Sequence, residues 1–113
     1  MPVLTSAPVL VASAVPGANE ALALGQQARA AAWRAGKMRA ELDRRLARPL
    51  PPAATIARRN AVQNRERYRN EYERAALESA ERSAEWDALM EALREVAPLT
   101  ADAVNAAVWG TEF

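Results

Sequence analysis

Apolar side chains recur at alternating spacings of four and three residues in the stretch 19–48. They are Leu24, Ala28, Ala31, Ala35, Met38 and Leu42. This alternation places them on one face of an α-helix, and the Ala, Leu, Gln and Arg around them are strong helix formers. Asn19 is the predicted N-cap, and the helix should end near Arg48 because three of the next four residues are proline.

A second helix is predicted over residues 55–97, with Thr55 or a neighbour at its start and no helix breaker before Pro98. One face of this helix carries Tyr68, Tyr72, Ala75, Ser79, Arg82, Trp86, Leu89, Leu93 and Val96. Only the C-terminal part of that face is strongly apolar. A third, short helix is predicted over residues 101–109, with Thr100 as its N-cap and Gly110 after its end.

The two long helices are predicted to pack antiparallel about a turn at residues 49–54. The expected fold is all-α and divides into an extended N-terminal arm (1–18), a helical hairpin (19–97), and a short helix and tail (98–113). If the chain reverses directly at the turn, the numbers of facing residues sum to about 103–105. That register places Ala28 opposite Ala75 or Ala76, and Ala31 opposite Tyr72. It also leaves Trp86 and the residues after it beyond the start of the first helix.

Residues 1–18 carry no charge and three prolines, which favours an extended arm over a helix or an interior strand. A disordered tail is normally polar and charged, so this apolar arm should need a receptor. The candidate protein interface consists of Val3, Leu4, Val9, Leu10, Val11, Trp86, Leu89, Met90, Leu93, Trp109 and Phe113. The sequence leaves open whether the arm covers its own chain or a neighbouring one.

The same N-terminal stretch is not expected to act as a signal peptide or a membrane span. Its small residues around Ser13 resemble a cleavage site, but no Lys or Arg precedes the apolar run and Pro8 interrupts it. A span needs about 20 uninterrupted apolar residues. We therefore expect no membrane association and no secretion through a signal peptide.

The composition predicts a thin hydrophobic core. Of 113 residues, 28 are Ala, and Leu, Ile, Val and Phe together contribute only 21, just under the ~20% below which a chain struggles to build a core. A domain of this size with so few large apolar residues would be marginal by itself. Other protein subunits, both identical and different ones, are therefore the expected partners.

The absence of Cys and His excludes thiolate and imidazole metal sites as well as Cys-His and Ser-His-Asp catalysis. Glu78, Glu81 and Glu85 share one helix face, but a helical di-metal site normally also recruits His, so a solvated face is expected. The four glycines stand far apart and match no nucleotide-binding loop. We expect no enzymatic activity, no cofactor, no metal and no small-molecule substrate.

Charge is distributed unevenly along the chain, although the formal net charge is only +1. Residues 29–69 carry twelve positive side chains against three acids, and residues 70–113 carry ten acids against three arginines. The basic segment includes Arg58, Arg59, Arg65, Arg67 and Arg69, with Asn, Gln and Tyr between them. This pattern resembles that of arginine-rich helices that bind RNA, but a helix face that meets solvent or an acidic partner is the favoured interpretation.

The layout of arm, Ala/Arg-rich hairpin (20–97) and apolar tail (104–113) resembles that of small helical structural or assembly proteins of tailed bacteriophages. The resemblance implies a non-enzymatic subunit of a larger assembly, in which the arm reaches a neighbouring subunit. It also implies a location in a virion or the cytoplasm. The opposed basic and acidic ends would suit head-to-tail neighbours. The alternative hypothesis is a small regulator that binds RNA or DNA through its arginine-rich helix.

Overall fold

The computed structural model describes residues 15–110, and the predictions for residues 1–14 and 111–113 lie outside this range. Three helices follow one another: α1 (Ala18–Ala47), α2 (Ile56–Val96) and α3 (Pro98–Trp109). The all-α prediction is confirmed, and the described residues contain no strand. α3 begins three residues before the predicted start because Pro98 occupies its first position, where the missing N–H costs no hydrogen bond.

The first two helices begin with different kinds of cap. Gly17 precedes α1 in a left-handed conformation (φ 88°), so the prediction of Asn19 as N-cap was wrong. Glycine adopts this conformation without the steric cost of a Cβ atom. Thr55 caps α2 as predicted, because its Oγ1 accepts a 3.1 Å hydrogen bond from the Arg58 backbone N–H. That bond satisfies one of the free donors in the first turn.

α1 and α2 pack antiparallel, but their register differs from the predicted one by about two helical turns. Gly25 lies against Trp86, about seven residues later in α2 than the predicted partner. Farther along, Arg34 pairs with Glu78 at 3.4 Å and Arg45 donates to Asn64 at 3.2 Å. The predicted contacts of Ala28 with Ala75 or Ala76, and of Ala31 with Tyr72, were therefore wrong.

The connection between the helices explains the shifted register. Arg48 is extended (φ −76°, ψ 136°), and the prolines after it disfavour a tight reversal. The connection runs back along the first turns of α2, where Arg58 donates to the Pro51 carbonyl at 3.3 Å and Arg65 donates to the Arg48 carbonyl. Because extended residues advance about 3.1 Å each and helical residues 1.5 Å, this short connection spans two turns of α2.

The described residues form a rod of 64 × 31 × 15 Å with three parts. The base contains three helical segments (18–32, 83–96 and α3), and the stalk contains two (33–43 and 70–82). The tip consists of the end of α1, the connection and the start of α2 (44–69). The main hydrophobic cluster lies in the base and consists of Ala18, Ala21, Ala28, Trp86, Met90, Leu93, Ala101, Val104 and Val108. Val15, just before α1, also packs against it.

The shifted register brings α1 over a face that was predicted to lie beyond its start. The first turns of α1 reach Trp86, Met90 and Leu93, and α3 packs on them through Val104 and Val108. The prediction that this face lies beyond α1 was therefore wrong.

Candidate functional site

The five arginines predicted to contact nucleic acid or an acidic partner do not share one face of α2. Arg58, Arg65 and Arg69 follow a spacing of seven and four residues, which puts them on one side of the helix, whereas Arg67 and Arg59 point elsewhere. Arg58 and Arg65 hold the proline-rich connection through its carbonyl groups. The Arg67 guanidinium lies 5.5 Å from the centre of the Tyr68 ring. Arg59 and Arg69 are exposed.

Arg45 has a structural role in the hairpin that the sequence did not reveal. Its guanidinium donates to Glu41 at 3.1 Å, Asn64 at 3.2 Å and the Tyr68 hydroxyl at 3.0 Å, and it lies 4.4 Å from the centre of the Tyr68 ring. Hydrogen bonds from Arg44 and Arg45 lower the pKa of the Glu41 carboxyl below its ordinary value, and the bond from Arg44 has the larger effect. The i, i+4 spacing of Glu41 and Arg45 was the one signal in the sequence.

The tip remains strongly basic despite these contacts. Residues 44–69 contain eight arginines and one acid, Glu66, and the carbonyl groups that Arg58 and Arg65 reach do not neutralise their charge. Two large apolar side chains are also exposed here, Ile56 at 76% and Val62 at 44%. They line a shallow surface concavity of about 700 Å³ together with Arg58 and Arg59. The tip therefore combines positive charge with apolar surface.

The opposite end of the rod also exposes apolar side chains, but the charges beside them are mostly negative. Val96 and Leu99, on either side of the α2–α3 junction, are 76% and 83% exposed. Exposed acids adjoin them at Glu91, Glu95 and Asp102, against one arginine, Arg94. We call the set Glu95, Val96, Leu99 and Asp102 the base end.

The interior of the base contains a very close helix approach at Gly25. A Cβ atom at this position would lie 2.6 Å from Trp86 Nε1 and 2.6 Å from Val108 Cγ2. The sequence did not reveal this role of Gly25, because no local pattern indicates a contact made between helices. The Trp86 indole N–H that faces it has no hydrogen-bond partner. At this point the helices pack so closely that the indole N–H is buried without a hydrogen-bond acceptor.

The predicted interface residues fall into three groups. Val3, Leu4, Val9, Leu10, Val11 and Phe113 lie outside the described residues. Trp86, Met90 and Leu93 are buried within the base, and Leu89 is partly buried beside them. Trp109 is 59% exposed, although its ring meets Trp86 edge-on at 6.4 Å and lies 5.8 Å from the Arg29 guanidinium. The structure thus assigns most of the described members to the subunit's own core.

Two kinds of site are not found in the part of the chain that the structure describes. Over residues 15–110, no three acidic side chains come together as ligands for a metal ion. Within the same range, no helix has the length and apolar character needed to cross a membrane.

Comparisons with protein-family models, curated proteins and solved structures gave no match.

Proposed function

We propose that this protein is a non-enzymatic structural subunit that joins a larger assembly through the two ends of its rod. The observation that carries the proposal is the exposure of large apolar side chains at both ends, beside charges of opposite sign. Ile56 at the tip and Leu99 at the base end are more than three-quarters exposed. Apolar surface rimmed by charged residues is typical of protein–protein contact sites.

The division of the rod supports the same proposal. The base has its own hydrophobic cluster, so the fold is maintained at one end. The stalk is two helices wide, and its exposed Trp33 and Leu77 face outward rather than into a core. Such a rod is built to hold its ends apart and not to enclose a substrate.

The finer form of the proposal follows the resemblance in layout to small helical proteins of tailed bacteriophages. A virion or assembly component of such a phage is the assembly that the layout favours. In that setting the chain would be found in virions or, before assembly, in the cytoplasm. The rod would act there as a spacer or an adaptor between other subunits.

The test is the mass of the native particle that contains the chain. We expect chromatography of a native extract to place the chain in a complex much heavier than its own 12.3 kDa. A double variant, Ile56→Lys with Leu99→Lys, should shift the chain toward the elution position of a monomer. The control, Leu77→Lys in the stalk, should not. Elution of the unaltered chain only as a free monomer would contradict the proposal.

A second function, binding of RNA or DNA, is favoured by one observation. Eight arginines surround the tip with a single acid among them, and Arg59 and Arg69 project into solvent. Guanidinium groups bind phosphate through paired hydrogen bonds. Nucleic acid is therefore the alternative partner of this end.

The nucleic-acid alternative has its own experiment. Replacing Arg59, Arg67 and Arg69 with Gln should weaken binding to a labelled RNA or DNA and reduce the salt slope by about one for each phosphate that is no longer neutralised. Arg34, Arg74 and Arg82 replaced with Gln serve as a matched control outside the tip. An unaltered chain that binds neither nucleic acid at low salt excludes this alternative.

A further inference from the structure

We infer that the tip of one copy binds the base end of a second copy, so that the chain associates head to tail with itself. This inference rests on the proposed function and names the partner of its two end surfaces. A contact between different surfaces of identical chains produces rings or open chains, depending on the rotation between copies.

Complementary charge is the first support. The tip presents Arg48 and Arg59 in exposed positions, within a segment that has one acid among eight arginines. The base end presents Glu95 and Asp102, both exposed. Two tips, or two base ends, would repel each other, whereas a tip and a base end attract.

Matching apolar surface is the second support. Ile56 and Val62 line the concavity at the tip, and Val96 and Leu99 protrude at the α2–α3 junction. In each case two large aliphatic side chains stand beside charged ones. A tip–base contact would remove all four from water and keep the charges at the rim, which is the usual arrangement of a protein interface.

The size of the ends determines how strong the contact is. The rod is only 31 × 15 Å in cross-section, so one contact buries less than the ~1,200 Å² of a standard stable interface. A single contact is therefore weak, and association should require high concentration and low salt. Going from about 10 mM to 1 M salt shortens the screening length from about 30 Å to 3 Å and should weaken it.

The test uses two variants that each block one end. The tip-blocked variant carries Ile56→Gln and Arg59→Gln, and the base-blocked variant carries Glu95→Lys and Leu99→Lys. All four positions are exposed, so the fold should survive, and helical circular dichroism verifies that. The control is Leu77→Lys with Glu81→Lys, which changes an exposed pair in the middle of the rod.

Sedimentation velocity gives a distinctive pattern if the inference is right. The unaltered chain and the control associate with rising concentration at low salt, and each blocked variant associates more than about tenfold more weakly. Mixing the two blocked variants restores a 1:1 dimer, because the intact tip of one meets the intact base end of the other. Two like-ended surfaces could not produce this complementation.

Three results would overturn the inference: a mixture that stays monomeric, an unaltered chain that stays monomeric at low salt, or self-association that neither blocked variant weakens. An unaltered chain that is monomeric alone but belongs to a heavy native particle would reject self-pairing and leave the proposed function intact. It would also indicate that the tip meets an acidic surface of a different protein.

Discussion

The base and the tip of this rod are held together by different interactions. In the base, Met90, Val104 and Val108 are at most 2% exposed, and they pack among alanines and Trp86. In the adjoining stalk one large side chain, Leu42, is buried. Around the tip, arginines carry the contacts: Arg65 holds a carbonyl of the connection, and Arg45 joins α1 to α2 through Asn64 and Tyr68. The base is stabilised by side chains that are buried away from water. The tip is held together by arginine side chains that remain partly exposed to water.

This difference shows how a chain poor in large apolar residues can still form a long hairpin. Burial of apolar surface stabilises the fold by about 25 cal/mol per Å², so the few large side chains are most effective when they are concentrated in one place. Exposed arginine contacts contribute much less, typically below about 1 kcal/mol each. The charge and the apolar surface of the tip can therefore stay exposed while the base supplies most of the stability of the fold.

The largest expected effect is the loss of packing in the base. Met90→Ala should lower the free energy of unfolding by about 2–5 kcal/mol, because the side chain is 2% exposed and its removal leaves a cavity. Leu77→Ala in the stalk, where the side chain is 60% exposed, should change it by less than about 0.5 kcal/mol. Urea denaturation of both variants measures the difference. Equal losses would show that stability is not concentrated in the base.

The second comparison uses two glycines of the same helix. Gly25→Ala should destabilise the protein by about 1–2 kcal/mol, because the new Cβ meets Trp86 and Val108 at 2.6 Å and overpacking outweighs the gain in helix propensity. Gly36→Ala meets nothing within 4 Å and should stabilise it by up to about 1 kcal/mol. Thermal unfolding should shift in opposite directions. Shifts of the same sign would contradict the close approach at Gly25.

A smaller effect is expected where Arg45 joins the two helices. Arg45→Gln should cost about 1 kcal/mol, because it removes contacts with Asn64 and Tyr68 across the helix interface. Arg44→Gln removes only an exposed pair with Glu41 and should cost less than about 0.5 kcal/mol. Chemical denaturation of the two variants, side by side, provides the measurement. If the Arg44 variant loses as much as the Arg45 variant, the contacts between helices do not matter.

The smallest effect is a dependence on pH at Glu41. Because Arg44 and Arg45 lower the pKa of this carboxyl in the folded protein, its contribution is present above the ordinary value near 4.5 and is lost as the pH falls through the lowered value. Between neutral pH and about pH 3, the unaltered chain should therefore lose more stability than Glu41→Gln. Urea midpoints at both pH values test this, and parallel decreases in the two proteins would contradict it.

The sequence predicted the helices well and their pairing poorly. Local signals, such as the prolines after Arg48 and Thr55 ahead of α2, define where helices end, and these were readable. The register depends instead on the path of the proline-rich connection and on the close approach at Gly25, which are properties of the assembled structure. For the same reason Trp86 and Met90 were assigned to an interface, although the shifted register buries them in the base.

The arginines of the tip illustrate the same limit at the candidate site. Their number and the resulting charge are evident from the sequence, but the roles of Arg58 and Arg65 in holding the connection are not. Those roles arise because the connection folds back along α2 and brings its carbonyl groups within reach. Composition therefore predicted a basic end, and only the structure separates the arginines that hold the fold from those that face outward.

Native-state hydrogen exchange of the purified chain tests most directly whether the base holds the fold and leaves the tip open for contact. We expect backbone amides of residues 86–93 and 101–108 to exchange at rates set by global unfolding, and amides of residues 56–63 to exchange orders of magnitude faster through local opening. The stalk should lie between them. Uniform protection along the whole of α2, or slower exchange at the tip than in the base, would contradict this account.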